Sequence, residues 1–206
     1  MKNRWIVFVL VGAASALAQE NESVARHEIG LTLGGILSQE RGGDAARLEL
    51  GSGIALQANY GYRLAGGRRA ALFGEVHFLA NPLRDVTAEN KTLTRDVATI
   101  FLTPGLRLKF NGAGRISPYG AIGGGWAIFE QSTNELNAAP NSASRLVNHG
   151  AFDYGAGVDV EFWRFVGLRG EVRDFYTGSP SYNTRLISGG QHNVVAGGGL
   201  VLKFGR

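Results

Sequence analysis

The chain has 206 residues, with 21 basic against 17 acidic side chains, no cysteine and 31 glycines. The lack of cysteine excludes a disulfide scaffold, and no apolar run approaches the roughly 20 residues a membrane helix needs. Glycine stands at about twice its usual share without a collagen period, and the mean hydropathy is close to neutral, as in strands that are apolar on one face only.

The first 18 residues read as a leader. Lys2 and Arg4 form a basic start, Trp5 to Ala18 is apolar and small, and Ala16-Leu17-Ala18 is an A-x-A cleavage site before Gln19. Residues 1–18 are therefore expected to be a cleavable signal peptide, 19–26 a short N-terminal segment and 27–206 the folded domain. Removing Lys2 and Arg4 lowers the net charge from +4 to +2, too small a surplus to imply a nucleic-acid partner.

Eight segments then carry apolar residues at every second position, the period of a strand with two unlike faces. The first, Glu28 to Ile36, sets Ile29, Leu31 and Leu33 against Glu28, Gly30 and Thr32. In the second, Gly53 to Leu64, Leu56, Tyr60 and Tyr62 oppose Gln57, Asn59 and Arg63. The third, Ala71 to Ala80, shows Leu72, Val76 and Phe78 against Glu75 and His77. Val97 to Phe110 shows Leu102, Leu106, Leu108 and Phe110 against Thr99, Thr103, Arg107 and Lys109. Ile116 to Glu130 puts Ile122, Trp126 and Ile128 opposite Gly123, Gly125 and Ala127. Ala151 to Phe162 alternates Phe152, Tyr154, Val158 and Phe162 with Asp153, Asp159 and Glu161. Val166 to Tyr176 sets Leu168, Val172 and Tyr176 against Arg169, Glu171 and Arg173. Asn193 to Phe204 sets Val194, Leu200, Leu202 and Phe204 against Asn193, Gly197, Gly199 and Lys203.

The connections alternate short and long. Ala65 to Ala70, Asn111 to Arg115 and Trp163 to Phe165 are tight turns. Leu37 to Leu48, Asn81 to Asp96, Gln131 to Gly150 and Thr177 to His192 are long and polar. Short turns on the periplasmic side and long loops outside are the habit of bacterial outer-membrane barrels, and an even strand number leaves both termini in the periplasm. The expected fold is all-β: an eight-stranded antiparallel up-and-down transmembrane β-barrel. Its aromatics sort into two belts. Outward Tyr60, Tyr62, Phe110, Phe162 and Phe204 fall at periplasmic strand ends, and Phe78, Trp126, Phe152, Tyr154 and Tyr176 at outer ends, the headgroup levels where amphipathic rings settle. A soluble lipocalin-type barrel, which turns its apolar residues inward, has no reason for two such belts.

Ser117-Pro118-Tyr119-Gly120-Ala121-Ile122-Gly123-Gly124-Gly125-Trp126 and Leu168-Arg169-Gly170-Glu171-Val172-Arg173-Asp174-Phe175 carry a family resemblance. Over about residues 27–206 the chain is similar to the small outer-membrane barrels that include the OmpA transmembrane domain and OmpX. The resemblance implies a Gram-negative envelope, placement by the barrel-insertion machinery, and surroundings of lipopolysaccharide and other outer-membrane lipid. The chain ends at Arg206, so the periplasmic peptidoglycan-binding domain of OmpA-type relatives is not expected. Asp174 departs from the pattern. Its phase points it to lipid, so it is expected above the membrane or turned by a bulge.

The inward face carries six acids, Glu28, Glu75, Asp153, Asp159, Glu161 and Glu171, and six bases, Arg63, Arg107, Lys109, Arg169, Arg173 and Lys203. Buried charges must be paired or hydrated, and eight strands enclose a space that side chains can fill. A salt-bridge plug that includes His77 is expected, with inward glycines making room for the arginines. A pore would more naturally line itself with one sign. His27, His77, His149 and His192 show no metal-ligand spacing, and glycine pairs lie within strands rather than before helices, so no metal, cofactor or catalytic residue is expected. The periplasmic turns carry Arg68, Arg69, Arg115 and Arg164, with Arg206 at the chain end and no acid inside those turns.

Together these features lead us to expect a non-enzymatic outer-membrane barrel. It would support envelope integrity and present four loops to an extracellular ligand of unknown identity. The alternative is a small passive pore. A third reading, a lipid A-modifying enzyme, would draw on His192 with Ser179, Ser181 or Ser188.

Overall fold

Strands with one apolar and one polar face must keep each face in its own medium, and a one-residue slip would exchange them. Closing the sheet on itself solves this and removes the free edges. The computed structural model describes residues 24–43, 46–178, 182 and 189–205. The expected leader and residues 19–23 lie outside the described residues. The strands are β1 (His27–Ser38), β2 (Arg41–Gly43), β3 (Ala46–Leu50), β4 (Gly53–Gly66), β5 (Ala70–Ala88), β6 (Asp96–Phe110), β7 (Ile116–Gln131), β8 (Leu146–Trp163), β9 (Val166–Thr177) and β10 (Gln191–Phe204). The eight long ones form an antiparallel ring in the order β1–β4–β5–β6–β7–β8–β9–β10, and β10 returns to pair with β1. Closure is in register along the whole of β1, from His27↔Phe204 to Ser38↔Asn193.

The strand centres fall where the alternation put them, but several strands run further at the long-loop end. β5 continues to Ala88 and β8 begins at Leu146. The expected loops Asn81 to Asp96 and Gln131 to Gly150 therefore shrink to 89–95 and 132–145. The expected loop Leu37 to Leu48 instead contains the hairpin β2–β3, whose second strand adds to β5 through Leu48↔Ala88 and Leu50↔Val86. The reason is apolar burial. Leu48, Leu50, Val86, Ala88, Leu93 and Val97 are all buried, so these connections carry a small core of their own and are not simply polar. The β5–β6 register shifts between Asn81 and Arg84, at Pro82, which has no N–H to give the ladder.

The alternation decides which side meets the surroundings. Leu106 is 43% exposed and Leu108 37%, while their neighbours Arg107 and Lys109 are fully buried. A continuous exposed apolar surface of this kind is far larger than a soluble monomer shows. The belt aromatics Tyr60, Tyr62, Phe110, Phe162 and Phe204 are exposed at the short-turn end, and Phe78, Trp126, Phe152, Tyr154 and Tyr176 toward the long-loop end. His27 joins the first belt. Its ring stacks on Phe204 at 5.1 Å between centroids, and its Nδ1 lies 2.7 Å from the Tyr60 hydroxyl.

Candidate functional site

Inward phase brings the charged side chains of six strands into the half of the barrel nearest the short turns. Glu28 of β1 lies 2.8 Å from Arg107 Nη2, 2.5 Å from Lys109 Nζ and 3.5 Å from Arg169 Nη2. Asp159 of β8 takes Lys109 at 2.6 Å and a two-bond fork from Arg169. One level up, Arg107 Nε stands 3.2 Å from Glu75, and Arg173 joins Glu75, Asp153 at 2.7 Å and Glu171 at 3.2 Å. Bidentate guanidinium geometry suits this role, because one arginine can bind carboxylates on different walls.

The remaining expected members sit at the margins. Glu161 is held by Lys203 at 2.9 Å. His77 is fully buried, with Nδ1 3.9 Å from Glu75 and Nε2 3.1 Å from Gln57 Oε1. Arg63 does not join the network. It is half-buried at the rim and donates to the Gly66 carbonyl at 3.4 Å, because it lies at the last inward position before the β4–β5 turn, below the carboxylates.

Two aromatic side chains complete this layer and were not singled out by charge pattern. Tyr119 donates to Glu171 at 2.8 Å, and its ring lies under Arg169 at 5.0 Å and Arg107 at 5.4 Å. Phe73 lies under Arg107 at 5.1 Å and Lys109 at 5.7 Å. A guanidinium over an aromatic face is an attractive contact that the low interior dielectric strengthens. Glycine makes the room, though for more than arginine. A Cβ at Gly155 would run into Arg173 and one at Gly61 into Arg107, but Gly157 makes way for Tyr119 and Gly123 for Asp153. Gly125, Gly197 and Gly199 abut the backbone of the neighbouring strand, so their expected role of admitting arginines does not hold.

The expectation of a polar interior holds for one half only. Above His77 the inward face turns apolar. Ile36, Leu79, Phe101, Phe129, Phe175 and Val195 are fully buried in one cluster. Phe101 packs on Phe175 at 4.9 Å and edge-on to Phe129 at 6.2 Å. The inward residues of β6, read upward as Lys109, Arg107, Gly105, Thr103, Phe101, Thr99 and Val97, show the change. A second polar layer caps the cluster. Arg84, buried and without an ion pair among the described residues, donates to Ser38, to Thr99 at 3.2 Å and to Asn193 at 3.4 Å.

One polar cluster faces outward. Asp174 lies on the lipid side of β9 with no register shift beside it, so no bulge turns it. Its Oδ2 accepts from the Tyr154 hydroxyl at 2.8 Å and lies 2.6 Å from His192 Nδ1. Cross-strand placement accounts for this, since Tyr154 is the direct partner of Asp174 in β8 and His192 pairs with Tyr176 in β10.

The family model described as an outer membrane protein beta-barrel domain matches residues 6–200. The chain belongs to the outer-membrane β-barrel family. Among solved structures, OprG of Pseudomonas aeruginosa is 14% identical with a TM-score of 0.58, over 89% of this chain and 98% of that one. Neisserial surface protein A is 12% identical with a TM-score of 0.55, over 88% and 99%. AlkL, solved in lipid bilayers, is 14% identical with a TM-score of 0.52, over 92% and 95%. These likenesses concern the fold. No curated protein matches the chain in sequence. The barrel stands in the outer membrane.

Proposed function

We propose that this barrel is a closed, non-enzymatic outer-membrane protein that supports the envelope and presents an ordered outer platform to an extracellular ligand. The observation that carries the reading is the cross-section of the lumen. Arg107, Arg169 and Arg173 bind carboxylates from β1, β5, β8 and β9, Arg107 and Arg169 also sit over the Tyr119 ring, and the Phe101 cluster lies above. Ion passage would require breaking several buried pairs, which weighs against the passive-pore reading.

The platform is held by backbone bonds between connections. Arg95 N donates to Asn134 O at 3.1 Å, Leu136 N to Leu93 O at 2.9 Å and Asn137 N to Lys91 O at 3.0 Å. Ordered loops lose less entropy on binding. The test is complementation of a strain lacking the protein by a barrel whose residues 89–95 and 132–145 are replaced with two-residue turns. The trimmed barrel should insert and fail to restore the lost phenotype. Full rescue by it would contradict the platform reading.

A second reading rests on the Asp174–His192 pair. A carboxylate on Nδ1 fixes the imidazole and leaves Nε2 as the reactive nitrogen, the arrangement of a general base. Ser179, Ser181 and Ser188 lie outside the described residues. Release of fatty acid from lipid A in expressing cells, lost in His192→Ala, would favour this reading over the first.

A further inference from the structure

The two rims of the barrel differ in charge. At the outer rim acids and bases are mixed and partly paired, as in Arg95–Asp96 at 3.1 Å and Arg145–Glu130. At the periplasmic rim, Arg26, Arg68, Arg69, Arg115 and Arg164 are all exposed. The acids of that end, among the described residues, are already engaged: Glu28 and Asp159 are buried in the network, and Glu161 is held by Lys203.

The main chain at three of these arginines is held by the rim's own backbone bonds. Asn111 N donates to Arg69 O at 2.7 Å, Glu161 N to Arg115 O at 2.8 Å and Arg63 N to Arg26 O at 2.8 Å. The ring of charge lies at the level of the periplasmic aromatic belt. Trp163, 72% exposed and stacked on Phe162 at 6.2 Å, stands beside Arg164, whose guanidinium lies over Phe165 at 5.2 Å. Above Arg69 and Arg115 an apolar groove of about 750 Å³ climbs the lipid face from Leu72 and Phe110 over Gly120 and Ala156. Its glycine floor is not required by the barrel, since a Cβ on Gly120 would meet nothing closer than the Gly155 carbonyl at 3.9 Å.

We propose that this rim is a binding site for an anionic phospholipid of the inner leaflet, its phosphate on the Arg69 and Arg115 side chains and one acyl chain along the Gly120 groove. Charge complementarity selects the occupant. Arg26, Arg68, Arg69 and Arg115, exposed at headgroup height with no exposed acid beside them among the described residues, attract an anionic headgroup over a zwitterionic one, and guanidinium is suited to phosphate. The site does not depend on what the outer loops do.

The chain contains three tryptophans, so Trp5→Phe with Trp126→Phe leaves Trp163 as the single reporter. The protein is reconstituted in phosphatidylcholine vesicles containing a small fraction of brominated phosphatidylglycerol or, in the control, brominated phosphatidylcholine. Trp163 quenching should be at least about twofold stronger with the anionic lipid, with the excess lost in high salt. Adding Arg69→Ser and Arg115→Ser, both exposed turn positions, should remove the excess while quenching by the zwitterionic lipid persists. Gly120→Leu, which fills the groove, should lower it. Equal quenching by the two lipids, or an excess that survives the serine substitutions, would overturn the headgroup site. An excess untouched by Gly120→Leu would overturn the placement of the chain.

Discussion

Arg169 and Asp159 face each other across the β8–β9 ladder and close a fork, Nε to Oδ1 at 2.7 Å and Nη2 to Oδ2 at 2.9 Å. The fork is the anchor of the lower network, because the free edge of Arg169 also reaches Asn59 Oδ1 at 2.8 Å on the opposite wall. Removing one partner leaves a charge buried. Asp159→Ala should cost about 3–5 kcal/mol in urea unfolding. Combining it with Arg169→Met should recover part of the loss. A double variant no better than the single one would mean that the pair is not coupled.

Arg84 and Arg107 are both buried arginines, but only Arg107 has carboxylate partners among the described residues. Arg84→Met replaces a cation held by two hydroxyls and an amide, so it should be close to neutral or stabilising. Arg107→Met leaves Glu28 and Glu75 short of a partner and should cost about 3–5 kcal/mol. Unfolding midpoints in the same lipid compare them directly, and equal effects would contradict the assignment of the charged layer.

The barrel could be read from the sequence because alternation, turn length and belt aromatics are local signals. Leu106-Arg107-Leu108-Lys109 announces both faces of β6 without any partner. Other features depend on height in the barrel. Phe101, Phe129 and Phe175 are inward by phase, yet an apolar inward residue looks like a break in the pattern until neighbouring strands are aligned and the three rings meet. The pairing of Asp174 with His192 needed the β9–β10 register, and the burial of Leu48 and Val86 needed the β2–β3 hairpin. Arg63 has the right phase for the network and the wrong height.

Glycines on the two faces should respond oppositely to a methyl group. Gly105 faces inward, where a Cβ would overlap the Ile122 carbonyl, while a Cβ on lipid-facing Gly120 would make only an ordinary contact with the Gly155 carbonyl at 3.9 Å. Gly105→Ala should cost about 1–3 kcal/mol through forced backbone movement, and Gly120→Ala should be tolerated. Leu106→Arg, on the lipid face, should cost about 2–4 kcal/mol if it lies near the midplane. Similar values at all three sites would contradict the sidedness of the wall.

Asp174 is a carboxylate on the lipid side, kept there by two donors. Tyr154→Phe removes the 2.8 Å bond from the hydroxyl and should lower the unfolding temperature, because the carboxylate loses one of its two donors. Asp174→Leu with Tyr154→Phe should be less damaging than Tyr154→Phe alone. The reverse order in thermal unfolding would show that the carboxylate is solvated and needs neither partner.

The closed lumen is the centre of the functional reading, and single-channel recording of the barrel in a planar bilayer tests it most directly. The wild type should hold the baseline, because the Arg107, Arg169 and Arg173 network and the Phe101 cluster fill the passage. Steady openings of porin size, with the same conductance in Arg107→Met and Phe101→Ala, would contradict a lumen closed by these side chains.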